Sequence, residues 1–338
     1  MIPNSEILLI YEARLCNPNG DPDEENRPRI DPKTRVNLVS DLRLKRFFRD
    51  YVSEKFGEEF VYVTKIAGRN VRADQRVLLL GEEHVPPEEI DKRIKGGRER
   101  SELMKKAEDV PKKCIDARLF GAAVPIGAEE RGGAGASIQF IGPVQFSWGF
   151  SLHPVELVES STITSIFAGR EAAEQYGTMG KDWRLYYSLI AFYGIISGRR
   201  ASYTGLSEDD IKILDNFLWT SLTVQPTTRS KIGEKPHLYL RIEYKDADTL
   251  LGDLRGYLDV ETKETVRSFS DVVLKFDRLV SVLKGNKDKV STIHIRYSDE
   301  IKPFADDLSN AVGKEIVKEL PSTLEESFIL KVLKGNTI

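Results

Sequence analysis

Cysteine is almost absent: the 338 residues include two, Cys16 and Cys114, with no CxxC spacing. A disulfide framework is thereby excluded, and the usage reads as a reducing, cytoplasmic setting. No apolar run approaches the ~20 residues that a membrane span needs. The opening MIPNSEILLI lacks the basic region and long apolar segment of a signal peptide, so no membrane partner is expected. Histidine is scarce as well. His84, His153, His237 and His294 lie far apart in no HExxH or GxSxG context, so hydrolytic chemistry has little support. Nor is there a large net charge. At -3 the chain carries no global basic field, and any nucleic-acid binding must come from local clustering. What remains is a globular profile, 30% charged and 40% hydrophobic, long enough for one large domain or two ordinary ones.

The order of patterns is informative. Residues 6 to 15, EILLIYEARL, read as a buried first strand. The next stretch, CNPNGDPDEENRPRIDPKT, is crowded with turn signals and reads as a stiffened acidic loop with no regular element. Ser40 or Asn37 can then cap a helix through LRLKRFFRDYVSEKF. Leu44, Phe47, Phe48 and Tyr51 give that helix an apolar face, and Arg43, Arg46 and Arg49 form an oblique stripe beside it, next to Lys45. Residues 57–136 have the look of a charged, largely helical insertion. SIQFIGPVQFSWGFSL is β-type, 155–182 is polar and irregular, and RLYYSLIAFYGIIS is apolar. Ser207 and Asp210 announce a second capped helix, and the loop TVQPTTRSKIGEKP leads to the strand HLYLRIEY. Without the insertions the order is βαββαβ, the α+β ferredoxin-like arrangement that RNA-recognition domains share. The C-terminal third alternates short apolar and charged helical segments with no evident linker.

Several chemistries can be weighed. Asp21, Asp23 and Glu25 have the one-three-five spacing of a calcium loop. Asn26 stands where that loop needs glycine, however, and Pro32 where it needs glutamate. Neither a metal nor another cofactor is expected. GGAGAS, residues 132–137, precedes a β-type element rather than a helix, which suits an insertion hinge better than a phosphate cradle. Asp209-Asp210 and Asp306-Asp307 sit at helix starts or on charged faces, where the helix dipole accounts for them. The basic helix is the strongest signal. Charge alone favours a solvated face with internal ion pairs. A second basic loop, Thr227-Thr228-Arg229-Ser230-Lys231, suits phosphate contact. If the strands flanking helix and loop are adjacent, both point into one groove, and the two readings become level.

NPNGDPDEENRPRIDP followed by VSDLRLKRFFRDYV resembles the N-terminal signature of the backbone subunits of type I CRISPR Cascade complexes. These are the DevR-type, seventh Cas protein family, here in its subtype I-B/I-C branch. DARLFG, GPVQFSWGFSLHPV, TMGKD and RSKIGEKPHLYLRIEY extend the likeness in order across residues 5–245. The resemblance implies a subunit without catalytic residues that polymerises along a CRISPR RNA, beside other Cascade subunits, and presents the guide to target DNA. It implies an RRM-like palm from residues 1–56, 137–156 and 183–245, with fingers over 57–136 and a thumb over 157–182. Residues 246–338 form an extension packed on the palm. Ser40, Arg43, Lys45, Arg46 and Arg49 match the family's RNA-contacting helix, and Thr228, Arg229 and Lys231 match a second contact region. Met179, Phe167 and Lys181 are the choices for a base-unstacking wedge in the thumb. Relatives in type III complexes cut target RNA with an aspartate, so the alternative is a metal-dependent nuclease using Asp21 or Asp31.

Overall fold

The structure is a computed structural model that describes residues 2–82, 85–94, 100–126, 136–159, 162–168 and 177–335. Its first strand, β1 (Ser5–Cys16), explains its own composition. Ile7, Leu9, Tyr11 and Ala13 point into one core cluster, whereas Leu8 and Ile10 point into another. Such a strand is covered on both faces and reads as a continuous apolar run rather than an alternating one.

Around it lie β2 (Val36–Val39), β3 (Val144–Phe146), β4 (Gly149–Pro154), β5 (Leu185–Ile196), β6 (Glu234–Tyr244), β7 (Val290–Tyr297) and β8 (Val317–Glu319). The order across the sheet is β8-β7-β6-β1-β5-β4-β2, with β3 also paired to β5. All these pairs are antiparallel except β7-β8, so the sheet is mixed and the molecule α+β.

Helix α1 (Asp41–Phe56) buries Leu44, Phe47, Phe48, Tyr51 and Val52, residues spaced to share one helical face. Ser40 is its N-cap; Asn37 belongs to β2 instead. Helix α2 (Glu208–Val224) starts from the Ser207/Asp210 capping box and lies beside α1 on the same core, where Phe217 meets Tyr51 edge-on at 4.8 Å. The opposite face is covered by α3 (Asp277–Gly285) and α4 (Lys302–Val312), while α5 (Glu326–Leu333) packs near α2. The C-terminal third is therefore more than a layer on the sheet, since it supplies two of its strands.

Two expectations need correction. The opening loop does contain regular structure: Gly20–Asp21 pairs with Arg27–Pro28 around a short 3-10 turn, and Glu25 and Asn26 take left-handed backbone to close it. The stretch expected to be irregular over 155–182 holds an antiparallel pair, Thr162–Ala168 with Gly177–Lys181. GTMGK holds one large apolar residue and leaves little periodic trace, whereas TITSIFA, rich in β-branched residues, carried a strand signal that was passed over. Residues 132–135 and His84 lie outside the described residues; Ala136–Ile141 is a strand, as the pattern after the glycines suggested. It pairs with Gly121–Ile126 rather than with the large sheet. That hairpin and the helices before it enclose a small core of their own, including Tyr62, Val77, Val110, Cys114 and Val124.

Candidate nucleic-acid interface

The opening loop is built to hold the start of α1. Asn19 Oδ1 accepts from the Ser40 N–H at 2.8 Å and its hydroxyl at 3.0 Å, while Ser40 Oγ accepts from the Arg43 N–H at 3.3 Å. Two of the loop's acids are engaged in its own folding. Asp31 Oδ1 accepts from the N–H groups of Lys33 and Thr34, both at 2.8 Å, which hold its carboxyl below the ordinary value. Asp21 accepts from the Asp23 N–H and pairs with Arg29 at 3.3 Å. Among the described residues no three His, Cys, Asp or Glu side chains converge in a metal-binding group.

β1 and β6 are hydrogen-bonded neighbours, so the loop before β6 meets the loop after β1. Asn17 N–H donates to Ser230 O, and Arg14 N–H to Gly233 O, each at 2.9 Å. Gly233 has φ of +119°, and a Cβ there would stand 2.0 Å from Arg14 O, so this close approach requires glycine. Lys231 Nζ donates to the carbonyls of Asn17 and of Pro18, the latter at 2.9 Å. Arg43 comes close enough to shift the titration of both Lys231 and Glu234. Burial lowers the Lys231 amine to about 8 and raises the Glu234 carboxyl to about 7. Neither Glu234 oxygen has a hydrogen-bond partner, and Arg43 Nε is likewise buried without one. Ser40, Arg43 and the 228–231 loop are thus brought to one place.

The other helix cations go elsewhere. Lys45 pairs with Asp41 at 2.9 Å and Arg46 with Asp50 at 2.6 Å. Arg49 is buried against Asp116 at 2.8 Å, a carboxylate that also accepts from the N–H groups of Tyr62 and Val63. Its partner is 67 residues away, so this pair joins α1 to the 57–136 region. Asp116 and Arg118 of DARLFG are both structural hubs, Arg118 donating to Asp210 and to the carbonyls of Pro111, Lys112 and Val332. Met179 and Phe167 are placed on the 162–181 strand pair, but their side chains lie outside the described residues. Lys181 is exposed, 5.9 Å from the Trp183 ring.

With that geometry in hand, the comparisons are decisive about family. The family model for CRISPR-associated protein Cas7 matches residues 3–277. This chain belongs to the Cas7 family. A CRISPR-associated protein Cas7 from Haloferax volcanii is 33% identical over 307 residues, 86% of each chain. Two solved chains are alike over most of their length. One, from a CRISPR RNA-guided surveillance complex before nicking, has TM-score 0.49 and 15% identity, covering 88% of this chain and 93% of its own. The other, from a CRISPR RNA-guided surveillance complex, has TM-score 0.47 and 14% identity, with coverages of 88% and 89%.

Sequence reasoning missed part of this Cas7-family surface. Arg27 stands 5.3 Å over Trp183, whose indole N–H is buried without a partner, and Arg29 stands 5.6 Å over Trp148. Arg27, Arg29, Arg35 and Trp148 line a cleft of about 460 Å³. The arginines were overlooked inside a loop read for its acids. Trp183 immediately follows TMGKD, and its position there was the available signal. Arg229 remains exposed, 3.7 Å from Asp182, near the same tryptophan in sequence. Both cysteines are free and buried, and burial pushes each thiol up to about 12, which leaves them unreactive. No helix among the described residues is long and apolar enough to cross a membrane.

Proposed function

We propose that this Cas7-family chain is a non-catalytic backbone subunit of a type I surveillance complex in the cytoplasm. Copies line up along a CRISPR RNA beside other Cascade subunits and present the guide for pairing with target DNA. Setting aside the short edge strand β2, the run β1, α1, β3/β4, β5, α2, β6 is the βαββαβ order, and its strands lie β6-β1-β5-β4 with both helices on one face. That supports reading it as an RRM-like palm. Head-to-tail contacts that do not close would extend copies into a helix rather than a ring.

One observation carries the reading: the pairing of β1 with β6 sets Arg43 and the Thr228–Lys231 loop side by side. Exposed Arg229 and the Arg43 guanidinium supply phosphate contacts without any base-reading code, as guide-directed recognition requires. The test is binding of single-stranded RNA to the purified chain across a salt series. Arg43→Glu and Arg229→Glu should each weaken binding for every sequence tried. Each should also flatten the salt dependence by about 0.7 in log-log slope, the contribution of one neutralised phosphate. An unchanged slope removes the junction from the interface. Magnesium-dependent cuts in complementary RNA, abolished by Asp21→Ala or Asp31→Ala, would replace this reading with a nuclease.

A further inference from the structure

The family match stops at residue 277, close to a feature the RNA reading does not use. Strand Val272–Lys275 pairs antiparallel with Asp259–Thr262, and this small sheet has two strands only among the described residues. In an antiparallel pair, alternate residues direct their N–H and C=O groups away from the partner strand. Lys263 N–H donates to Asp271 O, a register that turns Val273 and Lys275 toward the partner strand and Leu274 outward, and the Leu274 backbone makes no hydrogen bond among the described residues. A free edge of this kind is a template for another strand.

That edge borders a cleft of about 620 Å³ lined by residues 272–277, by Val280 of α3, by Ile301 of the turn before α4, and by Phe304 and Asp307 of α4. Its floor is apolar: Phe276 and Phe304 stack at 3.9 Å, and both are buried. The rim is acidic. Asp277 and Asp307 are exposed and take part in no ion pair among the described residues. Glu300, also at the rim, is held by Lys235 at 2.9 Å. The one cation on the edge, Lys275, is tied to Glu261 at 2.5 Å. Nucleic acid would be repelled here, whereas a segment with positive side chains would be drawn in.

We propose that this cleft receives an extended segment of a partner protein, added as a third strand beside Val272–Lys275, with apolar residues alternating with lysine or arginine. Main-chain bonds to the free edge would give affinity. The period-two alternation would send one set of side chains to Val280 and Phe304 and the other toward Asp277 and Asp307. The cleft shares no lining residue with the RNA junction, so the proposal stands whether or not that reading holds.

The test uses the full chain and three labelled heptapeptides: VKVKVKV, VEVEVEV, and VKVPVKV, whose proline removes a ladder N–H. Fluorescence anisotropy should show VKVKVKV binding at least about tenfold more tightly than either of the others. Hydrogen exchange should slow at the outward-facing Leu274 amide when that peptide is bound. Asp307→Lys should weaken it at least about threefold while leaving the unfolding midpoint in place, since that residue is exposed and stands inside α4 rather than at a helix end. Equal binding of the acidic and basic peptides, indifference to the proline, protection elsewhere, or no binding at all would overturn the proposal. So would protection of the free chain's edge that grows with protein concentration, because the occupant would then be a second copy.

Discussion

Two sets of arginines use the same side chain in opposite ways. Arg49, Arg118 and Arg241 are buried, and each is clamped by a carboxylate from a distant element: Asp116, Asp210 and Asp215. Arg43 and Arg229, at the junction of the opening loop with the loop before β6, have no close carboxylate clamp. Arg43 lies over the Phe47 ring at 3.8 Å, and Arg229 reaches Asp182 only at 3.7 Å. The buried set fastens layers together. Arg241 joins α2 to β6 through two bonds of 2.8 Å to Asp215, which also accepts from the Tyr239 hydroxyl. In the junction set, Arg43 Nε is buried with no hydrogen-bond partner among the described residues, and Arg229 stays exposed. Helical spacing of cations is therefore not in itself a sign of RNA contact. What decides is whether a carboxylate arrives from elsewhere in the fold.

The largest effect that can test this contrast lies at Asp116. Asp116→Ala would leave the Arg49 charge buried and the Tyr62 and Val63 amides without their acceptor. Breaking one side of a buried pair costs roughly 3–5 kcal/mol. Urea unfolding should show that loss, and pairing the change with Arg49→Met should recover the part due to the stranded charge but not the part due to the two unpaired amides. A loss below ~1 kcal/mol would mean the two arginine sets do not differ in kind.

Much of the fold could be read beforehand because its signals are local. Ser40 and Ser207 cap helices through atoms three residues away, and β1 advertises double-sided burial by its unbroken apolar run. The interface was only half legible. At the level of sequence the adjacency of the flanking strands was only a condition, and the observed pairing of β1 with β6 is what brings Arg43 beside the 228–231 loop. The burial of Arg49 depends on Asp116, 67 residues on, and no periodicity records such a partner. Arg27 escaped notice because a two-residue strand is too short to show alternation, and Arg29 because it lies just beyond that strand in irregular chain.

A second test sharpens the junction's side of the comparison. Glu234 is buried beside Arg43 and Lys231, with the Tyr11 and Cys16 side chains of β1 also within electrostatic reach. Burial raises its carboxyl to about 7, above the unfolded value near 4.5. The folded chain thus holds a proton that the unfolded chain has released, and stability falls as pH rises between those values. Relative to Glu234→Gln, the natural protein should lose stability from about pH 4.5 to 7 and run level above it, measured by denaturant midpoints at each pH. Parallel curves would mean that the carboxyl is no more costly to ionise in the fold than in the unfolded chain.

The smallest effect belongs to Arg46, which stands between the two sets. It is paired like the buried arginines, with Asp50 one helical turn on, yet its side chain is 45% exposed. Water screens such a pair, and an i,i+4 bridge on a helix contributes only about 0.3–0.5 kcal/mol. Arg46→Ala should therefore barely move the unfolding midpoint, in contrast to Asp116→Ala. If the same variant leaves RNA affinity and salt slope untouched, Arg46 belongs with neither set, and the contacts on α1 contract to its first turn at Arg43. If the slope flattens by about 0.7, the pair opens when phosphate competes for the guanidinium. Exposure, rather than the mere presence of a nearby acid, would then separate an arginine that holds the fold from one that is free to bind.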